Sequence, residues 1–168
     1  CSGFQEAIGF DRTLGNSAKE AFDQIHLGQA LLWSGNLQAA AVPLEKGLAI
    51  AKELGNAALA AEAQVHLGLA VAFTHDPELG RSMCEEGYRG AVRSEQREVE
   101  IAADLHGLRI ALLRQDRQAV ESQIERCGAH QHHLTPLVYR RAFADLQKRA
   151  RDFLSAETTL QRQAAVDQ

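Results

Sequence analysis

Four residues that bind metals in other proteins fall close together in the second half of the chain. They are Cys127, His130, His132 and His133. A thiolate and imidazoles suit zinc or a related borderline metal. The spacing matches no usual zinc pattern, and histidines at a helix end are also favoured by the helix dipole. We therefore expect no resident cofactor or metal, and a metal-dependent sensor is an alternative reading of the cluster.

A second set of possible ligands recurs at an equal spacing along the chain. It consists of His26, His66 and His106. Stacked helices lie about 10 Å apart, whereas zinc ligands must converge within about 2.1 Å of one ion. We therefore expect these histidines to pack or to form hydrogen bonds inside the protein, rather than to share a metal.

Catalytic motifs are missing from the sequence. It contains no glycine-rich phosphate loop, no G-x-S-x-G and no H-E-x-x-H. We therefore expect that the protein is not an enzyme. The net charge of −4 argues against a nucleic-acid partner for this segment, because such partners select a basic surface.

Cysteine usage and hydropathy indicate the compartment. The three cysteines form no disulfide framework, and Cys84 and Cys127 are predicted on inner helix faces. An odd count without close spacing is typical of a reducing compartment, so we expect a cytoplasmic location. No apolar run approaches the ~20 residues that a membrane-spanning helix needs, so we expect no membrane span.

A period of about 40 residues, in the range typical of repeat proteins, organises the whole chain. The clearest marks are Ile25-His26-Leu27-Gly28, Val65-His66-Leu67-Gly68 and Leu105-His106-Gly107-Leu108. Breaker pairs such as Gly35-Asn36 and Asp76-Pro77 fall between the apolar stretches. Each unit is therefore predicted to form a helix, a short turn, a second helix and a second short turn. The sequence predicts an all-α superhelix, a solenoid of stacked antiparallel helix pairs.

We expect these units to form a single domain, 1–168. We expect a partial repeat at 1–16, full repeats at 17–56, 57–96 and 97–136, and a partial repeat at 137–168. The predicted helices are 2–13, 17–34, 37–54, 57–74, 77–94, 98–114, 117–131, 137–153 and about 156–166. Ser17 and Glu20 have the spacing of a capping box at the start of the second helix.

The small and large residues within each unit resemble those of the tetratricopeptide repeat. The three units carry the following sets: Leu27-Gly28, Ala40, Leu44 and Gly47; Leu67-Gly68, Gly80, Cys84 and Gly87; Gly107-Leu108, Val120, Ile124 and Cys127. The resemblance covers about residues 4–154. It departs from the family in its longer period, in Gln24, Gln64 and Asp104 at the early Trp position, and in the missing closing Pro. The long helices with a Leu-Gly-Asn joint also resemble the helical-repeat domains of MalT-like bacterial signal-transduction ATPases and transcription regulators.

This resemblance implies a ligand groove lined by the first helix of each pair. The equivalent positions are Phe22, Gln29, Leu32, Trp33, Glu62, Leu69, Phe73, Arg109 and Leu113. Such a lining would suit a protein or peptide partner that presents an amphipathic helix, or a small apolar effector. The alternative is that these residues pack against one another inside the long units.

Together these features predict a noncatalytic binding module. The chain begins in the middle of a unit, so we expect a segment of a larger bacterial regulator or signalling protein. Open stacking faces would then allow an end-to-end homodimer. Two alternatives remain: a scaffold lipoprotein anchored through Cys1, and a metal-dependent sensor that uses His130, His132 and His133.

Overall fold

The regular structure is helical throughout the described residues. The computed structural model describes the backbone of 2–130 and 137–166, and the side chains of 2–130 and 140–156. The helices are α1 Ser2–Thr13, α2 Ser17–Trp33, α3 Leu37–Glu53, α4 Ala57–Thr74, α5 Pro77–Arg93, α6 Arg97–Leu113, α7 Arg117–Ala129 and α8 Leu137–Val166. The predicted all-α class is confirmed, and α1 to α6 match the predicted bounds to within one residue.

Short turns recur at regular intervals between these helices. Gly15, Gly35 and Gly55 have φ of 68°, 81° and 63°, a backbone region that glycine enters without a steric penalty. The residue after each glycine is an asparagine whose side chain accepts an amide hydrogen from the next helix. Consecutive helices therefore reverse direction within a few residues, which produces antiparallel pairs.

The capping prediction for α2 was wrong by one residue. Asn16, not Ser17, precedes the helix, and its Oδ1 accepts a hydrogen bond from the amide of Lys19 at 3.3 Å. Ser17 is already the first helical residue. Glu20 turns instead to α1, where its Oε1 accepts a hydrogen bond from Arg12 Nε at 2.9 Å.

The last helix also differs from the prediction. A break was expected between 153 and 156, but α8 runs without interruption for 30 residues. This part of the sequence has neither Gly nor Pro to end the helix. Ser155 instead donates its hydroxyl hydrogen to the carbonyl of Asp152 at 2.9 Å, a local bond that a helix tolerates.

The helices stack in sequence order to form a solenoid. The pairs α2 with α3, α4 with α5 and α6 with α7 pack internally, and each second helix contacts the first helix of the next pair. The first helices α2, α4, α6 and α8 also contact one another in order. We call the surface that these four helices form the first-helix face. It brings side chains from successive units together.

Glycines permit the closest helix approaches. A Cβ added to Gly68 of α4 would lie 2.7 Å from the carbonyl oxygen of Gly80 in α5, and one added to Gly80 would lie 2.5 Å from Ala72 Cβ. Contacts this short are not tolerated without movement of the backbone. The small residues of the repeat pattern therefore act as predicted, because they let paired helices meet backbone to backbone.

The helix α4 lies at the centre of the stack. It packs against α2, α3, α5 and α6, and nine of its residues are buried, among them His66 and Leu69. Its mean hydropathy of 1.3 over 18 residues makes it the one helix in the described residues that could cross a membrane by length and composition. Burial on several sides explains that hydropathy equally well, so the absence of a membrane span stays a prediction.

Candidate functional site

The first-helix face carries two pockets, and the predicted groove residues divide between them. Phe22, Gln29, Trp33 and Glu62 line a first pocket of about 450 Å³. Leu69, Phe73, Arg109 and Leu113 line a second pocket of about 480 Å³. Leu32 is 5% exposed and belongs to the apolar core instead. Eight of the nine positions thus face one of these two cavities.

The first pocket combines aromatic rings with acidic groups. Phe22 and Trp33 are 45% and 52% exposed, although both are large and apolar. Glu62 and Glu98 lie in the same lining. Burial, and to a smaller extent Glu98, raises the pKa of Glu62, while a nearby His26 opposes the shift. This pocket therefore offers apolar contact area next to negative charge.

A pair of buried imidazole rings lies beside this pocket. Gln29 Nε2 lies 3.2 Å from His66 Nε2, and His66 Nδ1 lies 3.1 Å from His106 Nε2. With the Gln29 amide as donor, His66 accepts at Nε2 and donates from Nδ1 to His106. The expectation that the repeated histidines form hydrogen bonds inside the array is thereby confirmed for two of them.

The remaining histidine of the series, His26, makes its contacts within its own helix. His26 Nδ1 is bonded to the carbonyl oxygen of Phe22 at 2.9 Å, and the two rings lie 3.9 Å apart between centroids. His66 and His106, by contrast, reach each other across neighbouring helices, and their rings lie in contact. Among the described residues no group of three or more His, Cys, Asp or Glu side chains could hold a metal ion.

The second pocket is mostly apolar and contains two guanidinium groups. It spans α4, α6 and α8, with Leu37 contributed by α3, and is lined by leucines together with Phe73. Arg149 Nε lies 3.0 Å from Asp145 Oδ2, so that arginine has an ionic partner. Arg109 lies deeper, and burial lowers its pKa; the neighbouring Arg149 lowers it further, while Asp145 opposes the shift.

Two of the four candidate metal ligands lie in the described part of the chain. Cys127 and His130 are both buried, and His132 and His133 lie outside the described residues. His130 Nε2 bonds to Asp104 Oδ2 at 2.9 Å, and Arg126 lies 2.5 Å from the other oxygen of the same carboxylate. His130 thus belongs to a polar cluster with Arg126 and the buried Asp104 of α6.

The sequence missed this cluster, although one signal pointed to it. Asp104 occupies the position that Gln24 and Gln64 hold in the earlier units, so an acid replaces a neutral amide on an inner face. A buried carboxylate needs basic partners. Arg126 reaches it from the neighbouring helix α7 and also covers the Tyr88 ring at 4.3 Å.

A carboxyl pair at α1 and α2 was also missed. Asp11 and Asp23 are 1% and 7% exposed, and Lys19 Nζ lies 3.3 Å from Asp11 Oδ1. Burial raises the pKa of Asp23, and the neighbouring Asp11 carboxyl raises it further through a hydrogen bond and its charge. Neither residue lines the two pockets, so the pair joins helices rather than meeting a ligand there.

The two internal thiols are poor nucleophiles. Cys84 and Cys127 are each 3% exposed, as their predicted inner positions imply. Burial raises the pKa of each thiol to about 12, and the thiolate is the reactive form. Neither cysteine can therefore supply a thiolate near neutral pH. The N-terminal Cys1, on which the lipoprotein alternative depends, lies outside the described residues.

Comparisons with known proteins leave the family open. No protein-family model matches the chain, and a search of curated proteins finds no match. The likeness to the tetratricopeptide repeat therefore rests on the residues of the repeat itself.

Proposed function

We propose that this chain is a noncatalytic helical-repeat module that binds an amphipathic helix of a partner protein across its first-helix face. The observation that carries the proposal is the exposure of four large apolar side chains on that one face. Phe22, Trp33, Phe73 and Leu113 are between 41% and 52% exposed, and all of them line the two pockets. Apolar groups clustered in this way mark interaction surfaces more often than isolated ones do.

The two pockets have a spacing that suits a helical ligand. On α4, Glu62 lines the first pocket and Phe73 lines the second. The helix between these two positions spans about 16 Å, at about 1.5 Å of rise for each residue. A ligand helix of about three turns therefore reaches from one pocket to the other, with apolar side chains at intervals of three and four positions entering each.

The composition of the pockets supports binding rather than catalysis. Their linings offer rings, leucines and hydrogen-bonding groups, but the two buried thiols and the Asp11–Asp23 carboxyl pair lie elsewhere. Trp33 is the residue best suited to anchor a partner, because exposed tryptophans bury a large area and dominate many interfaces.

The resemblance to tetratricopeptide and MalT-like repeats supports the same role. In those families the first helices line the binding groove, and this chain places its apolar residues on the corresponding helices. We therefore place the module in a larger bacterial transcription regulator or signalling protein of the cytoplasm, where it would couple a partner, peptide or effector to other domains.

Paired substitutions test the proposal. Amphipathic helical peptides are selected from a displayed library on the wild-type chain, and their affinities are then measured for Trp33→Ala and Phe73→Ala. We expect affinities about 10- to 30-fold weaker, as for anchor residues of other interfaces. Leu79→Ala and Val92→Ala on α5 are the matched controls, since these residues are 53% and 47% exposed but line neither pocket.

The opposite pattern would remove the proposal. If the α5 controls weaken binding as much as Trp33→Ala does, the peptides bind a different surface. If no peptide is enriched over an unrelated helical protein, the face is not a helix-binding surface.

A further inference from the structure

Arg109 is a partly buried positive charge in a mostly apolar pocket, and it has no direct partner among the described residues, although Asp145 lies near enough to act on its charge. It lies on α6 and lines the second pocket, a cavity of about 480 Å³. Within the parts of the chain that the structure describes, no group forms a hydrogen bond or a close ion pair with it. Burial of an unpaired charge is costly unless another group neutralises it. A counter-charge from outside the chain would remove that cost.

The rest of the lining is suited to an apolar body. It includes Leu37, Leu69, Phe73, Leu112, Leu113 and Leu146. These side chains come from four helices, so the apolar surface surrounds Arg109 on several sides. A ligand that fits must carry its charge at one end and hydrocarbon along the remainder.

The charges of the pocket fix the sign and number of the ligand charges. Arg109 and Arg149 contribute two positive charges to the lining, and Asp145 contributes one negative charge. Asp145 is already paired with Arg149 at 3.0 Å. One positive charge remains, so a single negative charge completes the balance.

We propose that the second pocket binds a small carboxylate carried on an apolar chain, with the carboxylate on Arg109. A planar guanidinium matches a carboxylate through two parallel hydrogen bonds, and a singly charged group fits the remaining charge better than a phosphate does. This inference rests on the proposed binding role of the first-helix face and names an effector class for one half of it.

The first pocket differs from the second in the charge of its lining. Its lining carries Glu62 and Glu98, and the Arg97 guanidinium is paired with Glu100 at 3.0 Å. An anion in that pocket would meet like charges. A carboxylate ligand is therefore expected to bind in the second pocket. A substitution of Trp33, which lines the first pocket, should not change the affinity for that ligand.

Titration of the full chain with decanoate tests the proposal, with 1-decanol as the uncharged probe of equal chain length. We expect decanoate to bind more tightly than decanol. Arg109→Gln should weaken decanoate binding about 10-fold or more, because a charge-assisted bond is lost. Asp145→Asn should tighten it about 2- to 5-fold, because it frees Arg149.

Two controls keep the outcome decisive. Arg89→Gln, on the exposed surface of α5, should leave decanoate affinity unchanged. Thermal unfolding by circular dichroism establishes that Arg109→Gln is folded. Because the Asp145 side chain is 61% exposed, Asp145→Asn tests the charge balance without disturbing the core.

Three results would overturn the proposal: no decanoate binding, equal binding of decanol, or a Kd that neither Arg109→Gln nor Asp145→Asn changes. Each is separable from failure of the proposed function. Selected peptides that bind through Trp33 while decanoate does not bind would leave the helix-binding role intact and remove only the carboxylate site.

Discussion

Acid should weaken the fold through the buried imidazole pair of His66 and His106. His66 is 2% exposed and His106 is 4% exposed. Burial lowers the pKa of His66 from its ordinary value of 6.5 to about 4, and a nearby His26 adds to the shift. Burial, His66 and Arg109 together hold the pKa of His106 well below its ordinary value. Both rings are therefore neutral in the folded protein at neutral pH.

The direction of the pH effect follows from these shifts. Between pH 6.5 and about 4 the unfolded chain binds a proton at His66 that the folded chain does not bind. Stability is therefore complete above pH 6.5 and is lost as the pH falls toward 4. At about 1.4 kcal/mol per pKa unit, His66 alone removes about 2 kcal/mol at pH 5 and about 3 kcal/mol below pH 4.

Buried carboxyl groups act in the opposite direction. The pKa of Glu62, Asp23 and Asp104 is raised by burial in each case, so their contributions are present at low pH and are lost as the pH rises through the folded-state pKa. The histidine effect is therefore measured as a difference between two proteins rather than from one curve.

Urea unfolding followed by circular dichroism at pH 7.5, 6.0 and 5.0 provides the assay. Wild type should lose about 2 kcal/mol more than His66→Gln between pH 7.5 and 5.0. The control His75→Gln changes an exposed histidine at the end of α4 and should follow wild type. If the free energy of unfolding changes equally with pH in wild type and His66→Gln, burial of the pair does not disfavour its protonation, and the prediction is wrong.

Three further predictions concern packing, charge and reactivity. Gly80→Ala should lower the free energy of unfolding by about 1–3 kcal/mol in urea, since its Cβ would meet backbone atoms of α4, whereas Gly9→Ala faces open space and should be neutral or stabilising. Asp104→Asn should cost about 1–3 kcal/mol at neutral pH in the same assay, because it leaves the partly exposed Arg126 without a counter-charge and weakens the buried hydrogen bond to His130. Peptide mapping after iodoacetamide treatment should find Cys84 and Cys127 unmodified in the folded chain and modified in urea, since burial raises the pKa of both thiols.

The helices were predictable because their ends follow local chemistry. A glycine in a left-handed turn followed by an asparagine cap recurs at fixed spacing before α2, α3 and α4, so these boundaries are encoded within a few residues. The error at Ser17 arose because the helix begins one residue earlier than a Ser17 capping box requires. Asn16 Oδ1 accepts from the Lys19 amide, and the Glu20 amide that Ser17 would have capped already donates to the Asn16 carbonyl.

The side-chain contacts were harder to predict because they depend on three-dimensional reach. The repeat period correctly grouped His66 with His106, but the sequence could not show that their rings span the gap between neighbouring helices. Leu32 illustrates the same difficulty. It is the direct neighbour of Trp33 in the chain, yet it points into the core while Trp33 lines the first pocket.

That Arg109 has no direct ion-pair partner among the described residues could not be predicted from the sequence. This depends on where α8 places Asp145 and Arg149, which come much later in the sequence. The resemblance to known repeats supplied the position of Arg109 in the groove. Only the packed structure shows that the nearby acid pairs with a different arginine.

Photo-crosslinking of a selected helical peptide to the full chain tests the central claim most directly. A photoreactive side chain at an apolar position of the peptide is activated, and the modified residues are identified by mass spectrometry. We predict adducts on α2, α4 and α6 at residues that line the two pockets, with their loss in Trp33→Ala. Adducts confined to α5 or α7 would contradict the assignment of the first-helix face as the binding surface.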